Sequence, residues 1–109
     1  MKHLLFAVFE NGDESKEIIH ELAKSGINGT VLASTSLRHI LHSIEEERSF
    51  ITLRHLEKMQ FEDNTTFYTL LDEDKLEMAQ NIIRKGSDNF KKLKGGFFVL
   101  PVETYEGSF

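Results

Sequence analysis

The residue types with the most chemical reach gather in two places. His39, His42 and Glu46 stand at i, i+3 and i+7 in a tract with helical periodicity. Two imidazoles and a carboxylate on one side of a helix could share a metal ion. The competing reading is a solvated polar face in a chain with 5 histidines scattered along it. That reading is adopted, so no metal and no cofactor are expected. The second place is residues 84–96, where Arg84, Lys85, Lys91, Lys92 and Lys94 face one acid, Asp88, and run into Gly95-Gly96. Glycine amides beside ammonium groups can cradle phosphate. Lys91, Lys92, Lys94, Gly95 and Gly96 are therefore candidate phosphate contacts, although a plain lysine-rich turn accounts for them equally well. There is no G-x-x-x-x-G-K-[ST] loop.

Little else suggests catalysis, and an enzyme is not expected. The chain has no cysteine, which excludes thiol chemistry, thiolate metal sites and disulfides. Lys plus Arg number 13 against 18 Asp plus Glu, a formal net charge of −5. That balance argues against binding a nucleic-acid polymer, which needs a surplus of phosphate-neutralising side chains. The apolar run at residues 4–9 is too short for a secretory core or a membrane span, and Glu10, Asp13 and Glu14 follow it. A cytoplasmic protein without membrane insertion is the expectation. At 109 residues the chain reads as a single domain over 1–109, with a modest core that association would help.

The elements that must position these residues follow from periodicity. Residues 3–9 are continuously apolar and close on Glu10-Asn11-Gly12, which predicts a strand buried on both faces. Asp13 reads as the N-cap of a helix with the stripe Ile18, Ile19, Leu22 and Ala23, and Gly26 as its stop. Residues 27–33 predict a short second strand and 65–71 a third, rich in β-branched and aromatic side chains. Residues 72–85 predict a second helix, with Asp74 and Glu77 as a capping box and Gly86 as the stop. Residues 97–102 predict a fourth strand, in which Pro101 marks an end or an edge. The tail, 103–109, is expected to dock back through Tyr105 and Phe109.

Between the second and third strands lies a long excursion, residues 34–64. Compact domains seldom carry such a connection unless it is functional or disordered. Leu37, Ile40, Leu41 and Ile44 follow helical spacing after Ser36, a plausible N-cap. The excursion is therefore read as something the body of the protein presents.

The order β-α-β-β-α-β predicts an α+β, ferredoxin-like fold. It has a four-stranded antiparallel sheet, both helices on one face, and a long, partly helical insertion between strands two and three. Strands one and four read apolar on both faces, yet helices on one side leave the other bare. Phe6 or Leu5, and Phe97 or Phe98, would then form an exposed patch that soluble monomers seldom tolerate. Sheet-to-sheet association of copies is the expected remedy.

Other ferredoxin-like groups fit poorly. The acylphosphatase phosphate loop is replaced by Glu10-Asn11-Gly12-Asp13-Glu14, and the RNA-binding RNP1 and metal-transfer C-x-x-C motifs are missing. The tract Asn64-Thr65-Thr66-Phe67, then residues 72–83, Gly95-Gly96 and Phe98-Val99-Leu100-Pro101-Val102-Glu103, resembles the PII-like proteins. Within them it is most similar to the cyclic-di-AMP receptor branch, which carries Gly-Asn-Thr-Thr-Phe at its third strand and Gly-Gly before a hydrophobic-Met-Pro-Val-Asp strand. The resemblance covers most of the chain outside the excursion. That branch reads Asn-x-Arg-x-Thr where this chain has Gly26, Asn28 and Thr30, and Thr-Thr-Gly-Gly where it has Ser34-Thr35-Ser36-Leu37. The long loop between strands two and three looks more like the T-loop of a classical PII protein.

The resemblance implies a homotrimer with packed sheets and a small, nucleotide-type ligand in clefts between subunits. It places that ligand near Asn28, Thr30, Ser34, Thr35, Asn64, Thr65 and Thr66, with the basic loop supplying charge. Residues 36–61 would then relay occupancy to a protein target through Leu37, Ile40, Leu41 and Ile44. Two alternatives stand beside it: a constitutive protein-interaction module with a decayed ligand site, and a CutA-like metal-binding trimer.

Overall fold

A computed structural model describes residues 1–37, 41 and 63–109. The elements come in the expected order: β1 (Lys2–Glu10), α1 (Asp13–Lys24), β2 (Thr30–Ser34), β3 (Asn64–Leu71), α2 (Glu73–Gly86) and β4 (Gly95–Val102). The sheet is antiparallel, ordered β2-β3-β1-β4, so the strand that reads as most apolar lies in the middle. Pro101 sits on an edge strand, where its missing N–H leaves no gap in an inner ladder.

Register settles which side chains face the helices. Leu5, Ala7 and Phe9 of β1 align with Thr69, Phe67 and Thr65 of β3. Leu5, Ala7, Phe9, Phe67 and Leu71 form the sheet's part of a core completed by Ile18 and Leu22 of α1, Ala79 and Ile83 of α2, and Ile27 and Leu93. Each fully buried Leu, Ile or Phe stabilises the fold by about 1.5–3 kcal/mol. The alternate residues point away from the helices. Phe6 stacks on Phe98 at 5.0 Å and on Tyr68 at 6.3 Å, an aromatic row across β4, β1 and β3. Phe98, Leu100 and Leu32 remain 52%, 51% and 49% exposed. Of the paired alternatives posed by the sequence, Leu5 and Phe97 go to the helix side, and Phe6 and Phe98 to the open face.

Several expected boundaries shift for physical reasons. Asp13 is not the N-cap of α1 but its first residue. Gly12 precedes the helix, and the Ser15 hydroxyl both accepts the Gly12 N–H at 3.0 Å and donates to the Gly12 carbonyl at 2.9 Å. Gly26 ends α1 as expected: its N–H reaches the Ala23 carbonyl, and the Ile27 N–H reaches that of Leu22. Ile27 is thereby drawn into the core as part of a helix stop, which delays β2 to Thr30.

In α2, Asp74 and Glu77 lie inside the helix rather than capping it. Asp72 holds the cap position while its carboxylate pairs with Lys2 at 3.2 Å. Gly86 does not stop α2 either. It is the last helical residue, and a Cβ there would meet Ile18 Cγ1 at 2.4 Å. The stop comes one residue later. The buried Ser87 hydroxyl donates to the Ile83 carbonyl at 2.7 Å and accepts the Phe90 N–H at 3.0 Å. Asp88, Asn89 and Phe90 then turn with positive φ. Gly95-Gly96 belong to β4 instead of a preceding loop.

Candidate functional site

The neck of the excursion, where β2 ends and β3 begins, is also where β1 ends and β4 begins. A hollow of about 400 Å³ opens there, lined by Val8, Phe9, Glu10, Ser36, Asp63, Asn64, Lys94 and Gly95. Its walls are held by a chain of hydrogen bonds. The Asp63 carboxylate accepts the Ser36 N–H through Oδ1 and the Ser36 hydroxyl through Oδ2, both at 3.1 Å. The Asp63 carbonyl accepts the Asn11 N–H at 3.0 Å, and the Lys94 carbonyl accepts that of Glu10 at 2.8 Å. Beside the hollow, Thr66 Oγ1 donates to Ser34 Oγ at 2.8 Å, and the Thr65 hydroxyl donates to the Asn11 side-chain carbonyl.

The hollow has a mixed electrostatic character. Glu10 and Asp63 contribute two carboxylates, Lys94 one ammonium, and Ser36 and Asn64 neutral donors and acceptors. Gly95 is the narrow point of its floor: a Cβ there would lie 2.2 Å from the Val8 carbonyl oxygen, so only glycine lets β4 lie this close to β1.

The residues singled out in the sequence divide by position. Ser34, Thr35, Asn64, Thr65, Thr66, Lys94, Gly95 and Gly96 come together around the neck. Thr30 lies four residues down β2, opposite Tyr68, roughly 13 Å away at strand rise. Asn28 precedes that end of β2 and accepts the Thr69 hydroxyl through its carbonyl. Lys91 and Lys92 are exposed on the turn after α2 and do not line the hollow. Leu37 and Leu41 are exposed. Ile40, Ile44, His39, His42 and Glu46 lie outside the described residues.

Glu10 and Asp63 are the charged lining residues that sequence reasoning did not assign to a site. The position of Asp63, directly before Asn64-Thr65-Thr66, was the available clue. Its pairing with Ser36 spans 27 residues and has no local signature.

No protein-family model matches the chain, and no curated protein matches it by sequence. Solved structures do. A functionally unknown protein from Pediococcus pentosaceus superposes with a TM-score of 0.62 at 16% identity, over 97% of this chain and 96% of that one. PII from Arabidopsis thaliana, solved with citrate bound, superposes with a TM-score of 0.55 at 20% identity, over 93% of this chain and 78% of that one. The fold is PII-like. Among the described residues, no helix is long and apolar enough to cross a membrane.

Proposed function

We propose that this chain is a PII-like regulatory protein of the cytoplasm, a binding protein rather than an enzyme. It assembles as a homotrimer through its open sheet faces and takes a small, nucleotide-type ligand at the neck hollow, in a cleft shared between copies. Occupancy passes to a protein partner through residues 36–61. The observation that carries this reading is the pair of hydrogen bonds that Ser36 donates to the Asp63 carboxylate. One carboxylate is at once a wall of the hollow and the tie across the base of the excursion. A ligand that favours one arrangement of that tie shifts the excursion by its difference in affinity for the two states, and by no more. The citrate-bound Arabidopsis protein supports a small ligand on this fold. Two carboxylates against one ammonium do not hold a phosphate by themselves, so this reading requires cations from a neighbouring copy. The basic turn of a neighbouring copy, with Lys91 and Lys92, would supply the balance.

Titration calorimetry with AMP, ATP, cyclic-di-AMP and citrate, joined to hydrogen exchange over residues 36–61, tests the proposal. One compound should bind and change protection of the excursion. Asp63→Ala should keep at least part of the binding and lose the change in protection. No heat from any compound, with protection unaltered, would reject it. The acidic lining favours one rival, a constitutive interaction module whose ligand site has decayed. A partner captured equally with and without nucleotide would select that rival.

A further inference from the structure

The open sheet face carries a second hollow, at the end away from the neck. Leu4, Gly29, Thr30, Tyr68, Thr69 and Leu70 line it, and Phe109 closes it from above, around a space of about 160 Å³. The floor is one patch of sheet: Leu4 is the cross-strand partner of Leu70, and Thr30 that of Tyr68. Residues 103–109 reach it from β4, the opposite edge of the sheet from β2. Tyr105 lies 5.9 Å from the Lys2 ammonium, and Gly107 turns the segment with φ +96°.

The segment is loosely held at this hollow. Phe109 keeps 58% of its surface exposed. Among the described residues, no hydrogen bond or ion pair holds residues 106–109. Two packed sheets stand about 10 Å apart, with the side chains of both filling the layer between them. Phe109 walls this hollow on the same sheet face as Leu4, Tyr68 and Leu70 and so takes up part of that layer, which a partner sheet needs in order to cover this corner.

We propose that Phe109 is a displaceable plug. In the single chain it shields the Leu4–Tyr68–Leu70 corner, and a second copy must evict it for the sheets to close over that corner. The segment after β4 thus sets the concentration at which copies associate. This rests on the open-face association proposed above and adds a control on it that lies in the chain itself.

The test is analytical ultracentrifugation over a dilution series of the full chain, its Phe109→Ala and Phe109→Glu variants, and Phe98→Glu. Both Phe109 variants should associate more tightly, by about five-fold per copy, the factor for releasing roughly half of a phenylalanine side chain from apolar contact. Seating is read separately in the Phe98→Glu background. There, Leu4 and Leu70 methyl resonances should lose a ring-current shift when Phe109 becomes Ala. Association unchanged or weakened by Phe109→Ala, or methyl shifts that do not move, would overturn the plug. Association of the full chain that is indifferent to Phe98→Glu would instead overturn the open-face reading and remove the basis for the plug.

Discussion

Gly95 shows how much one residue can constrain this molecule. It begins β4 against β1, with φ +151° and no room for a methyl group beside the Val8 carbonyl oxygen and the Phe9 Cα. Backbone cannot rotate aside as a side chain can, so Gly95→Ala should cost about 2 kcal/mol or more. It should also widen the neck hollow as β4 moves off β1. Gly96→Ala is the matched control, because a Cβ at that position meets nothing within 4 Å. Urea denaturation of the two variants should separate them clearly; equal losses would refute the close-approach account. The residues of the hollow illustrate a second point at this scale. Asp63 is half-buried and bonded through both carboxylate oxygens, whereas Lys2–Asp72 is a partly exposed pair worth at most about 1 kcal/mol.

Between elements, the helices meet through Ile18 of α1 and Gly86 of α2. The sequence suggested Gly86 as a helix stop because glycine so often plays that part. The stop is in fact Ser87 with Asp88 and Asn89, whose N–H groups return to the Lys85 and Arg84 carbonyls. Gly86 is there to admit Ile18. An alanine at 86 gains helix propensity of up to about 1 kcal/mol but drives a methyl into Ile18, and the clash should win by about 1–2 kcal/mol. In a double-mutant cycle, Ile18→Ala should relieve the cost of Gly86→Ala, because it removes the atom in the way. Strict additivity of the two losses would show that they do not touch.

For the whole molecule, the open face matters most. Phe98, Leu100 and Leu32 are each about half exposed beside the Phe98–Phe6–Tyr68 row, a contiguous apolar surface that water disfavours. Phe98→Glu puts a charge within the open apolar face and should weaken association by about a hundred-fold or more, with the chain still folded because Phe98 is not part of the core. Sedimentation with circular dichroism checks both halves of that statement. Loss of fold together with loss of association would mean that the subunit does not stand alone.

Periodicity and turn chemistry were enough to reveal the β-α-β-β-α-β order, the confinement of Pro101 to a strand end or edge, the Gly26 stop and the presence of an apolar face without a cover. These depend on neighbours in sequence, and a strand or a helix stripe announces itself within a few residues. Which face each β1 residue takes was open in the sequence, because a strand apolar on both sides has no alternation to read. Register with β3 and β4 decided it. The Ser36–Asp63 tie, the demand of Ile18 on Gly86 and the closeness of Gly95 to Val8 are contacts between residues far apart in the chain. No local pattern encodes them; they exist only once the sheet has brought their partners together.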